Sequence, residues 1–148
     1  MGDVRRAEGE DARAVADVWL RSRRAAAIPP AVHPDAEVRG WVKDVLIPTC
    51  EVWVATDGGE VVGFMALADD WVEQLYVAPE HQRRGHGARL IMLAQARRST
   101  LTLWTFESNV DAQGFYEAHG FSRLGEVSSD NEERAPAIRF RWRSTSAA

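Results

Sequence analysis

The segment that most constrains this fold lies in the middle of the chain, where a strand, a glycine loop, a helix and a second strand follow one another. Residues 71–77 alternate like a strand, and Gly85 and Gly87 lie in the loop after it. A helical stripe then covers 87–98, and a second strand is predicted at 101–106. Two strands joined by a helix need a parallel or crossover connection, so this unit predicts a mixed sheet.

The rest of the chain predicts antiparallel strands and amphipathic helices. Asp57-Gly58-Gly59 is a hairpin turn between two runs rich in β-branched and aromatic residues. The remaining strands are predicted at 4–7, 51–56, 60–68, 121–127 and 137–143, and the remaining helices at 10–24, from Pro34 to a stop at Pro48, and at 109–119. These elements predict one α/β domain over 1–148, with a mixed, mostly antiparallel sheet of about six to seven strands, about four helices and a disordered tail at 144–148.

The strand at 71–77 also predicts which side chains share a face of the sheet. Successive side chains of a strand alternate between its two faces. The expected faces are Trp71, Glu73, Leu75 and Val77 on one side and Val72, Gln74 and Tyr76 on the other. The carboxylate of Glu73 is therefore expected beside Leu75 and Val77.

Composition limits the partners that this chain can have. The 148 residues include 18 Lys and Arg against 22 Asp and Glu, for a formal net charge of −4. An acidic total argues against a nucleic acid as the main partner. The single cysteine, Cys50, excludes an intrachain disulfide and a cysteine-rich zinc module. No signal peptide or membrane span is visible in the sequence, so we expect no membrane partner and a cytoplasmic location.

The glycine loop of the central unit carries the clearest chemistry. A helix start presents unpaired N–H groups and partial positive charge, and glycines let a ligand approach the main chain. Gly85 and Gly87 lie at this start, and Arg83 and Arg84 add charge at its rim. The pattern favours an anion site, and the alternative is a plain strand-to-helix turn in which the glycines only relieve strain.

Two motifs resemble those of one family. Residues 82–87, Q-R-R-G-H-G, are similar to the Q/R-x-x-G-x-G/A signature of the GNAT N-acetyltransferase superfamily, and the strand before them resembles that family's fourth strand. Residues 109–121 have the form N-x-x-A-x-x-F-Y-x-x-x-G-F and resemble a second segment of the same family. Both motifs occur in the expected order, and the resemblance covers about 50–127.

The resemblance implies acetyl-coenzyme A as the donor and direct transfer of its acetyl group to an amine in a ternary complex, without a metal ion. It also implies that the fourth and fifth strands splay apart and hold the pantetheine arm. The main-chain amides of 84–88 would hold the pyrophosphate. The cofactor-binding residues that it implies are Leu75, Tyr76, Val77, Gln82, Arg83, Arg84, Gly85, His86, Gly87, Ala88, Asn109, Ala112 and Tyr116.

Three residues have the chemistry that acetyl transfer requires. An amine that attacks a thioester creates an oxyanion, which the main-chain N–H of Val77 would stabilise. A phenol can protonate the departing sulfur, which makes Tyr116 the candidate general acid, and the alternative is a core tyrosine. Glu73 is the candidate for removing the amine proton through a water molecule, and the alternative is a solvated strand carboxylate.

The resemblance implies that the loop between the first two helices, residues 25–34, helps to shape the acceptor site. Trp19 is a candidate for this site, and the alternative for it is a helix-core residue. An arginine such as Arg24 would hold a substrate carboxylate. The four histidines have no metal-ligand spacing, so no metal site is expected. The candidate substrate-binding residues are Trp19, Arg24, His33, Trp71 and Glu73.

Transfer of an acetyl group to a primary amine of a small molecule or peptide is the leading interpretation, and two others stay open. A non-catalytic acyl-CoA-binding regulatory module would keep the loop without turnover. The arginines of 83–98 suit a nucleic-acid surface, which the acidic total disfavours. The alternating strand at 137–143 would add to the sheet edge of a second copy, which predicts a homodimer.

Overall fold

The computed structural model describes residues 2–145, in which seven strands form one sheet with helices on both faces. The strands are β1 (Gly2–Arg6), β2 (Glu51–Asp57), β3 (Glu60–Ala68), β4 (Trp71–Val77), β5 (Thr100–Phe106), β6 (Ser122–Ser128) and β7 (Ala137–Arg143). The helices are α1 (Ala12–Ala25), α2 (Asp35–Trp41), α3 (Ile47–Thr49), α4 (His86–Arg97) and α5 (Val110–Ala118). This is the α/β fold that the sequence predicts.

The sheet has the order β1-β2-β3-β4-β5-β7-β6, and every neighbouring pair is antiparallel except β4 and β5. Helix α4 connects these two parallel strands, which confirms the crossover predicted from the central unit. Strand β7 lies between β5 and β6, so neither of its edges is free. The predicted route to a homodimer through 137–143 is therefore wrong, because the outer strands are β1 and β6.

Two apolar cores hold the helices against the sheet. On one face, Val15 of α1 and Val42 after α2 pack with Phe64 of β3, and all three are fully buried. On the other face, Leu90 of α4 packs in a cluster with Phe140 of β7. Helix residues spaced three and four apart supply these contacts, as an amphipathic pattern predicts. The site lies at the separated ends of β4 and β5, between the two helical layers.

Two helix boundaries differ from the sequence prediction by more than one residue. The first helix begins at Ala12 rather than at residue 10, because Gly9–Asp11 form a separate 3-10 turn. The second is not stopped by Pro48, because the chain passes through a π-helical turn, Val42–Leu46, and Pro48 occupies the short helix α3 that follows. A proline is tolerated in the first turn of a helix, where its missing N–H would have no partner.

No helix among the described residues is long and apolar enough to cross a membrane. At the C-terminal end, the Ser144 N–H donates to the Ser99 carbonyl at 2.8 Å. Residues 146–148 of the predicted tail lie outside the described residues.

Candidate active site

The glycine loop ends in a left-handed residue that starts α4. Gly85 has a φ of +85° and is the N-cap of α4, and its carbonyl accepts the Arg89 N–H at 3.0 Å. This φ favours glycine, and a Cβ at Gly85 would meet no atom within 4 Å, so the loop has open space around it. The first-turn N–H groups of His86, Gly87 and Ala88 have no helical carbonyl to bond. They form the kind of helix start that binds anions.

The side chains of the loop are arranged around this helix start. Arg83 and Arg84 are exposed, and neither forms an ion pair within residues 2–145. Gln82 donates from Nε2 to the Val77 carbonyl at 3.0 Å, which ties the loop to the end of β4. His86 turns inward and is only 3% exposed, so its ring is not on the loop surface. The loop therefore presents cationic side chains and main-chain donors to solvent.

Strands β4 and β5 meet at one end and separate at the other. Their one registered pair in the described sheet is Trp71 with Thr102, and the Thr102 N–H donates to the Asp70 carbonyl at 2.8 Å. Trp71, a predicted acceptor residue, thus lies at the closed end, away from the opening. Beyond this pair the strands splay, as the resemblance implies.

The splay leaves main-chain donors of β4 directed toward the gap. The Ala78 N–H donates to Val62 on β3 at 2.8 Å, so the preceding residue, Val77, directs its main-chain groups away from β3. By the same alternation, so does Leu75. The Val77 carbonyl accepts the Ser22 hydroxyl at 3.0 Å, and the Val77 N–H is the group expected to meet the oxyanion.

A cavity of about 440 Å³ opens between the separated strands. Its charged wall residues are Glu73 and Asp130, and none of the described wall residues is basic. The predicted residues Val77 and 82–88 are not in the wall, because the loop follows the end of β4. The wall consists of Val72, Glu73, Gln74, Leu75 and Tyr76 of β4, Trp104, Thr105 and Phe106 of β5, Asn109, Ala112 and Tyr116 at α5, and Ile28, Ser128, Asp130, Asn131 and Ala137.

Strand β4 contains a bulge that simple alternation does not predict. Its register with β3 skips Glu73, which is an extra residue between Val72 and Gln74. The expected face of Val72 is therefore wrong, because Val72 and Leu75 pack in the same core cluster, whereas Leu75 and Tyr76 pack on opposite faces as predicted. Glu73 is exposed and lies in the cavity wall.

Tyr116 belongs to an apolar core cluster and also lines the cavity. It is 7% exposed, and its ring lies 5.2 Å from the Phe115 ring and 5.4 Å from the Phe121 ring. Burial, with a smaller effect of Tyr76, raises the pKa of the Tyr116 phenol above its ordinary value. The phenol therefore stays protonated at neutral pH, the form that a general acid needs.

Helix α5 carries Tyr116 into the wall from a defined starting point. Asn109 caps the helix, and its Oδ1 accepts the Ala112 N–H at 3.2 Å. Asparagine is favoured at this position because its side chain satisfies a free N–H of the first turn. Asn109 and Ala112 both line the cavity, as the resemblance implies.

A buried arginine behind the cavity is absent from the sequence prediction. Arg23 of α1 donates to the Tyr76 hydroxyl at 3.2 Å, the Pro29 carbonyl at 3.3 Å and the Glu133 carboxylate at 3.0 Å. Its guanidinium also lies 4.7 Å from the Trp19 ring. These contacts join α1, β4 and the loop before β7. The sequence signal that could have indicated this contact is the spacing, because Arg23 follows Trp19 by four residues and therefore lies on the same helix face.

Two predicted acceptor residues on α1 lie outside the cavity wall. Trp19 supports the wall from behind, and its Nε1 donates to Oε1 of Gln74 at 3.2 Å. Arg24 is exposed and paired with Asp35 at 2.6 Å, so it does not reach the cavity. The expectation that Arg24 holds a substrate carboxylate is contradicted by this geometry, because the helix turns Arg23 inward instead.

His33 also lies outside the wall, where it joins two loops. Its Nδ1 is 2.9 Å from the Glu37 carboxylate, and its Nε2 is 3.1 Å from the Glu132 carboxylate. Hydrogen bonds to Glu132 and Glu37 raise the pKa of His33. The ring therefore bridges the segment after α1 and the loop between β6 and β7.

The loop between β6 and β7 supplies wall residues that no motif indicated. Asp130 and Asn131 line the cavity together with Ser128. Asn131 holds the loop closed, because its Nδ2 donates to the Ala135 carbonyl at 2.8 Å and its Oδ1 accepts the Ala135 N–H at 3.1 Å. The sequence shows only a polar stretch here, and its contact with the cavity depends on long-range folding.

Comparison with known proteins decides the family. Residues 48–123 match a family model described as an acetyltransferase (GNAT) domain. This chain belongs to the GNAT family. The resemblance drawn from the two motifs is thereby confirmed, and the chain is an acetyl-CoA-dependent N-acetyltransferase.

Three GNAT proteins illustrate the likeness. The peptidyl-lysine N-acetyltransferase YjaB of Salmonella typhimurium is 33% identical over 132 residues, which are 88% of this chain and 90% of that protein. The peptidyl-lysine N-acetyltransferase YiaC of Escherichia coli is 26% identical over 146 residues, covering 94% and 95%. The solution structure of apo YjaB from Escherichia coli superposes with a TM-score of 0.78 at 26% identity, covering 96% of this chain and 97% of that one.

Proposed function

We propose that this GNAT enzyme acetylates the ε-amine of lysine side chains in peptides or proteins. The observation that carries the proposal is the charge of the cavity, whose charged wall residues are Glu73 and Asp130. A lysine amine is cationic at neutral pH, and acidic walls of a cleft attract it. YjaB and YiaC, which are named as peptidyl-lysine N-acetyltransferases, support the same acceptor class.

The surroundings of the cavity favour a lysine within a peptide over a free amino acid. A free amino acid brings a carboxylate, which needs a cationic partner near the amine. The buried guanidinium behind the cavity, Arg23, is already neutralised by Glu133, and Arg24 pairs with Asp35 on the surface. A side chain that enters from a peptide avoids burying that carboxylate.

The donor is proposed to lie along the opposite part of the gap. The amides at 84–88 hold the pyrophosphate, and Arg83 and Arg84 neutralise its charge from the rim. The pantetheine arm follows the open edge of β4, where Leu75 and Val77 direct main-chain groups toward it. This pose brings the thioester to the cavity that Tyr116 lines.

The reaction follows from these positions. The lysine ammonium loses one proton to water, assisted by Glu73, and its nitrogen then attacks the thioester carbon. The Val77 N–H stabilises the oxyanion that forms. The carbon–sulfur bond then breaks, and Tyr116 donates its proton to the sulfur. The second proton leaves the nitrogen and returns through water to the Tyr116 phenolate. The products are an acetylated lysine, coenzyme A as a free thiol, and one proton.

A peptide panel tests the acceptor. Each peptide has a blocked N-terminus and one lysine, and its matched control carries norleucine in place of the lysine. Incubation with acetyl-CoA is expected to release thiol, and mass spectrometry is expected to show one added acetyl group on the lysine peptides only. A further peptide has a free N-terminus and no lysine, and its acetylation without any reaction at lysine in the other peptides would contradict the proposal. Binding of acetyl-CoA without turnover on any amine would favour the regulatory module instead.

We further propose that the chain works as one domain over 1–148 and in the cytoplasm. One sheet contains all seven strands of the described residues, from β1 at one edge to β6 at the other, which supports a single unit. The need for acetyl-CoA supports a compartment that contains this metabolite.

A further inference from the structure

A second cluster of polar side chains lies beside the glycine loop, outside the acetyl-transfer cavity. It consists of Asp57 at the end of β2, His81 before the loop and His86 at the start of α4. An Asp57 carboxylate oxygen lies 3.7 Å from Nε2 of His86 and 4.0 Å from Nδ1 of His81. The three ligand atoms all lie within 4.8 Å of one another.

Two ring nitrogens of this cluster are buried without a hydrogen-bond partner. They are Nε2 of His86 and Nδ1 of His81, and the His86 side chain is 97% buried by its 3% exposure. A buried polar atom without a partner is unusual in a folded protein and calls for a water or an ion. Both nitrogens face the same carboxylate, so one ligand would satisfy both of them.

We propose that Asp57, His81 and His86 bind a divalent transition-metal ion, with zinc as the best chemical match. Two imidazoles and a carboxylate are ligands that zinc accepts, and a water completes four-coordination. Zinc bonds of about 2.0–2.1 Å place tetrahedral ligands roughly 3.3 Å apart, so the three atoms need to close by about 0.4 to 1.5 Å. The spacing of the histidines does not reveal this site, because the third ligand comes from β2.

Arg89 controls how strongly this site binds. Its guanidinium lies 2.5 Å from Nδ1 of His86 and donates to it, so the neutral ring carries its proton on Nε2. A metal ion at Nε2 moves that proton to Nδ1, which Arg89 then opposes. The ion therefore competes with Arg89, and removal of the guanidinium is expected to tighten binding.

Binding at this site would fix the glycine loop. His81 and His86 stand on either side of Gln82-Arg83-Arg84-Gly85, and Asp57 belongs to a strand on the far side of β3. An ion held by all three would link β2 to both ends of the loop. Its role is structural, because the cluster lies outside the cavity wall.

Calorimetric titration of the chelator-treated chain with Zn²⁺ tests the site, and Co²⁺ absorption reports its geometry. We expect one equivalent bound with a dissociation constant of about 10 µM or tighter. His86→Gln and Asp57→Asn are expected to weaken binding by roughly tenfold or more, and Arg89→Met to tighten it. His33→Gln, which removes an exposed histidine elsewhere, is expected to bind like the unaltered chain.

Three outcomes of the titration would show that these residues do not bind the metal ion. No binding at roughly 100 µM free Zn²⁺, an affinity in both ligand variants equal to that of the unaltered chain, or weaker binding in Arg89→Met would overturn the site. If His86→Gln does not fold, as judged by circular dichroism, Asp57→Asn decides the question alone, because Asp57 is partly exposed.

Discussion

The two ends of the gap between β4 and β5 differ in charge. At the loop end, Arg83 and Arg84 stand beside the open N–H groups of α4, and the stretch 81–98 contains no acid. At the cavity end, the charged wall residues are Glu73 and Asp130. A net charge of −4 averages over these two regions and conceals both. The difference matches a polyanionic donor at one end and a cationic acceptor at the other.

Tyr116 lines the cavity, and the loss of its hydroxyl is expected to have the largest effect. Tyr116→Phe keeps the ring contacts with Phe115 and Phe121 and removes only the proton donor. We expect kcat to fall roughly 10²–10⁴-fold with little change in CoA affinity. Steady-state thiol release and calorimetric CoA titration measure the two quantities. Unchanged kcat at saturating substrates would exclude Tyr116 as the general acid.

A substitution in the glycine loop is expected to weaken the binding of the donor, coenzyme A, and not that of the acceptor. Gly85→Val places a branched residue at a φ of +85°, blocks the approach of the pyrophosphate, and is expected to weaken CoA binding roughly tenfold or more. Gly125→Val is the matched control, because Gly125 has a φ of +82° and equally open surroundings. Both variants carry similar backbone strain, so equal CoA affinities in the two would argue against the loop as the pyrophosphate site.

Neutralising one charge at each end gives a smaller and more selective effect. Asp130→Asn is expected to raise KM for a lysine peptide roughly three- to tenfold without changing CoA affinity. Arg84→Gln is expected to weaken CoA binding by a similar factor without changing KM for the lysine peptide. Both effects are expected to shrink as ionic strength rises, because exposed charges are screened. If both variants altered the same ligand, the separation of charge along the gap would have no functional meaning.

The smallest effect concerns the contact of His33 with Glu132 and Glu37. These carboxylates raise the pKa of His33, so the charged contact is fully present below the ordinary value near 6.5 and is lost as pH rises through the raised pKa. Proton NMR is expected to show His33 titrating above 6.5, and Glu132→Gln is expected to lower that midpoint. A midpoint unchanged by Glu132→Gln would show that the two loops are not joined there.

Much of the fold follows from local signals in the sequence. Strands β3, β4 and β7 have the predicted bounds, because alternating apolar residues and flanking turn residues determine them locally. The anion loop is likewise local, since its glycines and arginines are neighbours in the chain. Helix ends at Ala12 and around Pro48 differ because turns of other helical types continue the chain.

The cavity was harder to predict because its parts come from distant segments. The bulge at Glu73 arises from pairing with β3, and no residue type within β4 predicts it. Arg23 and Glu133 are 110 residues apart, and only the fold brings them together at 3.0 Å. Asp130 enters the wall from a loop without a motif. The residues of the proposed donor end are therefore neighbours in the sequence, whereas most residues of the proposed acceptor end are brought together only by the fold.

A crystal structure with coenzyme A and a lysine peptide tests the central claim most directly. The account predicts the pyrophosphate on the amides of 84–88, the sulfur beside Tyr116, and the lysine nitrogen within roughly 4 Å of that sulfur on the side of Glu73 and Asp130. A lysine that reached the sulfur from another side, or a pyrophosphate bound away from the loop, would contradict it.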